Sequence, residues 1–290
     1  MEGTKLMLWC FTCVNFTILY ALQNGLRHYF SWKKPKEQSA ILVIIFMAPL
    51  YAVVSYIGLM DSPESKMLFT FLKTVKECYE ALVIAKFLGL MYTYLNMSTS
   101  ENIVPDEIKG REIHHSFPVT LFQPRTVQLD DYTLKQLKDW TWQFVVIRPV
   151  CSISMTALQI LGAYPAWVGW TFTTILNISV LLAFYSLVVF NHTFAKELAP
   201  YQPYPKFFYI KGIVFFCFWQ GIALKILAAL GIIKSHYAWL DVEDIPEALQ
   251  NILVLAEMHV LKCFLDHGYT AEPYRCKATV ATGTAVEKKD

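Results

Sequence analysis

Long stretches without a formal charge alternate with short polar ones along this 290-residue chain. Residues 6–26 and 39–60 contain no Asp, Glu, Lys or Arg, and none occurs from 149 to 195. A helix needs ~20 mostly apolar residues to cross a bilayer, so the last gap holds two spans. Gly162, Ala163, Tyr164 and Pro165 supply the turn between them, because proline cannot continue a helix. Two further runs cover 208–233, interrupted by Lys225, and 246–266, interrupted by Glu257 and Lys262. A seventh, 67–95, carries charge in its first half. Ser62, Pro63 and Glu64 mark its start as N-cap, first-turn proline and first-turn acid.

The pattern predicts an all-α integral membrane protein. Seven transmembrane helices are expected at 6–26, 39–60, 67–95, 143–162, 167–191, 208–233 and 246–266. They form one unit over 1–267, followed by a short tail, 268–290. Lipid offers backbone amides no partner outside a helix or a closed barrel, and the ~10-residue alternation of barrel strands is absent. Composition agrees. Apolar residues make up 55% and charged residues 17%, against the usual ~25%. Those fractions argue against a soluble enzyme, and the net charge of +2, without a concentrated basic face, argues against nucleic acid as a partner.

Lys and Arg fall unevenly between the loops. Arg27, Lys33, Lys34 and Lys36 follow the first run, five lie in 96–142, two in 192–207 and four in the tail. The other side has Lys5, Lys66 and Lys234. The positive-inside rule then places the N-terminus exoplasmic and the C-terminus cytoplasmic, which requires an odd number of spans. The first run reads as a retained helix and not a signal peptide, since only Lys5 precedes it and the positive cluster follows. The sequons at Asn15, Asn96, Asn177 and Asn191 fall in spans or on the cytoplasmic side, so no glycosylation is expected. Cys10 and Cys13 sit in an apolar helix and read as packing, while juxtamembrane Cys276 is a candidate for palmitoylation. In the loop 96–142, residues 129–142 are amphipathic, with Leu129, Tyr132, Leu137 and Trp140 near one face. They predict either a separate interfacial helix or an extension of the fourth span.

Ionisable groups inside a span cost several kcal/mol, so they face the interior and take partners. The third span offers Lys73–Glu77 and Lys76–Glu80 as i,i+4 pairs, with Glu80 and Lys86 lying deeper. Arg148 lies about one turn in from the cytoplasm, where it could snorkel. Gln220 falls near mid-depth, Lys225 in the outer half, and Asn251 and Glu257 in the seventh span. At ~1.5 Å per residue Glu257 lies roughly 16 Å in, with Lys225 or Lys86 as expected partner. The candidate polar centre is therefore Glu80, Lys86, Arg148, Gln220, Lys225, Asn251 and Glu257. No catalytic set, cofactor or metal site is expected: only His259 lies at membrane depth, with His267 beyond it.

Several motifs occur together in one order: Tyr79-Glu80-Ala81, the stretch from Lys211 to Phe218-Trp219-Gln220-Gly221, Glu257-Met258, and Tyr269 through Pro273-Tyr274. In these the chain resembles the organic solute transporter alpha family, over nearly its whole length. His114-His115-Ser116-Phe117-Pro118 and the stretch from Trp140 to Arg148-Pro149 are similar to its plant, Lazarus-type members. The resemblance implies seven spans with an outside N-terminus. It also implies a carrier that moves amphipathic, steroid-like organic solutes by facilitated diffusion, with a single-span partner subunit or a second copy. Plant members are associated with vacuolar and plasma membranes, brassinosteroid signalling and cell death, so the alternative is a non-transporting regulator or scaffold acting there. The cysteine-rich stretch that animal members carry after the third span is missing. A seven-helix receptor fits less well: the third span ends in Tyr92-Thr93-Tyr94 without an acidic-Arg-Tyr triad, and the seventh lacks Asn-Pro-x-x-Tyr. A retinal lysine at Lys262 lacks an aspartate four residues before it, where Met258 stands.

Overall fold

In the computed structural model, residues 2–60, 63–98, 103–104, 106, 108–115, 119–121, 124–230 and 245–274 are described. The first helix, α1 (Glu2–Phe30), is followed by α2 (Pro35–Ile45) and α3 (Met47–Ile57), which together form one broken span. Pro49 causes the break. Its ring has no N–H to donate and crowds the carbonyl four residues back, at Ile45, so the axis is interrupted at Phe46. Then come α4 (Pro63–Tyr94), α5 (Asp131–Ile160), α6 (Ala166–Thr193), the short α7 (Ala195–Leu198) and α8 (Pro203–Ala229). The last span is also broken, into α9 (Ile245–Val260) and α10 (Lys262–Gly268), with Leu261 between them. Residues 231–244, Lys234 among them, and residues 275–290 with Cys276 lie outside the described residues.

Among the described residues six segments are long and apolar enough to cross a membrane: Thr4–Phe30, Pro35–Ile57, Asp131–Ile160, Trp167–Thr193, Pro203–Ala228 and Ile245–Tyr274. The α4 helix has the length, 32 residues, but carries Lys73, Lys76, Glu77, Glu80 and Lys86 along it. Residues 129–142 are not a helix of their own. Asp131 begins a 30-residue helix that continues without interruption into the fourth span. Asp130 caps it, accepting a 2.7 Å hydrogen bond from the Thr133 amide. Hydrogen bonds from Thr133 hold the Asp130 carboxyl below the usual carboxylate range. The far end closes on Gly162 at φ 67°, where the Ala163 amide returns to the Leu158 carbonyl at 2.9 Å. A left-handed residue there favours glycine.

The α4 helix lies between α5 and the α2–α3 span; α3 also packs on α1 and α9, α8 on α9 and α10, and α6 mainly on α5. The interior is aromatic, with Tyr51, Phe87, Tyr92, Phe144, Phe190 and Tyr209 almost fully buried. The outward faces of α1 and α6 carry Leu8, Leu19, Trp167, Trp170 and Ile178, all well exposed. A face of this kind suits lipid, not water. Between α4 and α5 a small antiparallel hairpin forms, β1 (Glu112–His114) with β2 (Thr126–Gln128), Ile113 opposite Val127. Arg111 fastens it to the bundle through a two-pronged contact with Glu197, at 2.7 and 3.2 Å, and a bond to the Thr193 carbonyl. The guanidinium holds the Glu197 carboxyl below its ordinary value.

Candidate functional site

The charges on α4 turn toward neighbouring helices and not along their own. Glu80 is buried at 5% exposure and meets the Arg148 guanidinium of α5 at 3.0 Å. Glu77, one turn earlier on the same face, approaches Arg148 at 3.7 Å. The Tyr51 hydroxyl of α3 donates to the other Glu80 oxygen. Lys76 lies over the Tyr51 ring at 4.8 Å from its centre, and Lys73 reaches Glu247 of α9 at 3.4 Å. The expected Lys73–Glu77 and Lys76–Glu80 pairs are thus replaced by inter-helix contacts. Arg148 does not snorkel either; it turns inward to the two carboxylates. A buried guanidinium needs acceptors, and bonding across helices satisfies groups on both. Pro149, next to Arg148, sits inside α5 and cannot bond back to Val145, which loosens the backbone beside the pair.

A second pair joins α8 to α9. The Gln220 amide donates to one oxygen of Glu257. The other Glu257 oxygen and the Gln220 carbonyl oxygen are buried with no hydrogen-bond partner among the described residues. One turn away Gln250 donates to the Cys217 carbonyl at 2.9 Å, against Gly221. The α8 helix, which carries Gln220 and packs on α9, also contacts α4, the helix of Glu77 and Glu80. The arrangement gives the bundle a polar interior with a fixed ion pair on one wall and an incompletely satisfied amide–carboxyl pair on the other.

The remaining candidates are scattered. Lys86 is exposed and makes no ion pair among the described residues, so it does not partner Glu257. Lys225 lies on α8, but its side chain falls outside the described residues. Asn251 is buried where α9 crosses the end of α3, its amide nitrogen close to Gly58 and without a hydrogen-bond partner among the described residues. Tyr51, Glu77 and Gln250 belong to the polar interior and were not among the candidates. The spacing of Glu77 and Glu80 on one helical face could have joined them, whereas Tyr51 carries no signal of its own in an apolar run.

A separate cluster closes the end of the bundle where α1, α2, α4, α8 and α10 meet. Buried Glu37 accepts from Tyr274 at 2.9 Å and pairs with Lys34, also at 2.9 Å. Bonding to Glu37 lifts the Lys34 ammonium above its ordinary value. His28 contacts the Tyr269 carbonyl at 3.0 Å, and the Tyr269 hydroxyl donates to the Lys206 carbonyl at 3.0 Å. Gln38 donates to the His28 and Ser31 carbonyls and accepts from the Lys33 and Lys34 amides. Gly268 passes so close to Lys206 that a Cβ would lie 3.0 Å from its backbone nitrogen. Beside this end, buried His115 bonds the Tyr185 hydroxyl at 2.9 Å and packs on Trp140. Burial pushes its imidazole below the ordinary value.

Among the described residues no group of three or more His, Cys, Asp or Glu side chains is placed to hold a metal ion. A family model for the organic solute transporter Ostalpha matches residues 6–274. The chain therefore belongs to the Ostalpha family. No solved structure matches it.

Proposed function

We propose that this protein is a multi-pass membrane carrier of amphipathic, steroid-like organic solutes, working by facilitated diffusion. Membership of the Ostalpha family supports solute transport. The observation that carries the site is the Gln220–Glu257 pair, which joins two apolar helices and leaves two oxygens unpartnered in the interior. Such oxygens can accept from a hydroxyl of a passing solute, while the aromatic walls take its apolar body. The carrier crosses the bilayer seven times, α4 included, because Glu80 is buried against Arg148 and Glu77 approaches the same guanidinium, so these charges turn to the bundle interior. The N-terminus is exoplasmic. A single-span helix or a second copy completes it on a lipid-facing side. Vacuolar, plasma or other endomembranes of a plant cell are its setting, on the resemblance of its 114–118 and 140–149 segments.

Proteoliposomes containing the full chain, with and without a candidate single-span subunit, test this directly. Labelled steroid conjugates should equilibrate faster than in empty liposomes. No difference across several conjugates would favour the non-transporting regulator. Cysteines introduced at 235 and 116 test the topology: an impermeant thiol reagent should label the first only from the exoplasmic or luminal side and the second only from the cytosol.

A further inference from the structure

The first span delivers a basic and aromatic corner to the membrane surface. Residues 6–26 of α1 carry no formal charge. At ~1.5 Å per residue they cover roughly 30 Å, the depth of a hydrocarbon core. Leu19, Leu22 and Leu26 keep the outward face of α1 apolar to the end of that stretch. The positions that follow, 27–36, hold Arg27, Lys33, Lys34 and Lys36, with Tyr29, Phe30 and Trp32 between them. They make up the last turn of α1, the turn after it and the start of α2. The corner therefore lies at headgroup depth, and α2 carries the chain back into the membrane.

Its rings stand outward. Phe30 is 81% exposed and Tyr29 68%, the two meeting edge to face at 5.8 Å, and Trp32 is exposed beside them. Rings of this kind settle among headgroups, with an apolar body below and a wet edge above. Arg27, Lys33 and Lys36 are also exposed, and no carboxylate lies within ion-pair distance of them among the described residues. Lys34 differs, since it pairs with Glu37, which is buried and also bonded to Tyr274. The other lysine at this end, Lys206, is buried and donates to the Tyr201 carbonyl. Three cations are thus left uncompensated. The backbone that carries them is fixed from within, because Gln38 accepts from the Lys33 and Lys34 amides and donates to the His28 and Ser31 carbonyls. A corner held in this way loses little further freedom when a ligand settles on it.

We propose that the α1–α2 corner binds the headgroup of a phosphorylated inositol lipid of the surrounding leaflet, with its phosphates on Arg27, Lys33 and Lys36 and its acyl chains along Leu22 and Leu26. Charge matching selects this lipid. A phosphodiester with at least one phosphomonoester answers three cations, whereas a phosphatidylserine headgroup brings a single net negative charge. The orientation proposed above puts the corner at the cytoplasmic leaflet, where anionic lipids gather. The site does not rest on that orientation, since a symmetric bilayer offers the same lipid on both faces. Nor does it rest on transport: loss of the lipid leaves the carrier reading standing, and failure of transport leaves the corner standing.

The full chain is reconstituted in phosphatidylcholine bilayers holding equal minor fractions of phosphatidylserine and phosphatidylinositol monophosphate. It is then extracted in mild detergent and weighed by native mass spectrometry for retained lipid. The inositol lipid should be retained about tenfold over phosphatidylserine, and Arg27→Gln/Lys33→Gln/Lys36→Gln should abolish that preference. Lys33→Gln alone, at an exposed position, should cost about fivefold, so the site is read even where the triple variant fails to fold. Arg27→Lys/Lys33→Arg/Lys36→Arg keeps the charge and should retain the lipid to within about twofold. Arg125→Gln/Lys135→Gln/Lys196→Gln removes three exposed cations elsewhere and should change nothing. Equal retention of the two anionic lipids overturns the site. So does a preference indifferent to Lys33→Gln, or one lost equally in the distant triple variant.

Discussion

Arg148 and Glu80 form an ion pair at 3.0 Å between α5 and α4, with Tyr51 donating to Glu80 from the opposite side. Removing one member strands the other. Arg148→Ala should lower stability by about 3–5 kcal/mol, the usual cost of an uncompensated buried charge. The double variant Arg148→Met/Glu80→Leu should recover most of it. Thermal unfolding in detergent of Arg148→Met, Glu80→Leu and the double variant closes the cycle; additive losses would show that the pair is not a coupled unit.

Glu257→Gln should fold and express like the wild type, because an amide oxygen at that position can still accept from Gln220. Transport should fall, since the carboxylate is gone from the polar interior. Glu257→Ala should lose stability as well, leaving the Gln220 amide unsatisfied by about 1–3 kcal/mol. Uptake into proteoliposomes and the unfolding midpoint, measured on the same preparations, separate the two effects. Normal uptake by Glu257→Gln would remove the carboxylate from the carrier mechanism.

Gly58 has no room for a side chain. A Cβ there would lie 2.5 Å from the Phe69 ring and 2.6 Å from the Asn251 amide nitrogen. Gly58→Ala should therefore destabilise by about 1–3 kcal/mol through overpacking. Phe69→Ala in the Gly58→Ala background should restore part of the loss, read as a rise in the unfolding midpoint above that of Gly58→Ala alone.

The hairpin should loosen in acid. Burial depresses the His115 imidazole, so the docked form holds it neutral while the undocked form takes up a proton near its ordinary value of ~6.5. Its contribution is complete above that value and is lost as pH falls below it. Amide exchange at residues 111–115 should be faster at pH 5.5 than at 7.5 after correction for intrinsic rates. His115→Asn should flatten the difference; an unchanged pH dependence in that variant would assign it to another group.

The spans were legible because lipid imposes a plain demand, a long apolar helix, and charge-free runs state it directly. Their interruptions were less so. Pro49 stands in an apolar run and its effect at Phe46 is local, while Leu261 has no breaker beside it at all. The reading of α5 left open whether 129–142 was a separate element, because an amphipathic face looks the same in either case. Glu80, Arg148, Gln220 and Glu257 were found as costly groups in apolar surroundings, but their partners were not. Spacing along one helix suggested Lys76 for Glu80, whereas the inter-helix distances that chose Arg148 appear only once the bundle is packed. Lys262 was seen as a charge at depth, and only the approach of α1 shows the rings beneath it.

The Tyr274–Glu37 bond also bears on how the chain is made. Its two residues are 237 positions apart. A ribosome adding roughly 5–20 residues per second needs on the order of ten to fifty seconds to cover that interval. Throughout it, Glu37 has Lys34 within reach, and Gln38 can already tie the α1–α2 corner through His28 and Ser31. The first spans thus emerge with a polar notch held in waiting. Its keystone, the stretch from Tyr269 to Tyr274, is among the last parts of the bundle to be synthesised. The closing bond joins the start of α2 to the stretch that follows α10.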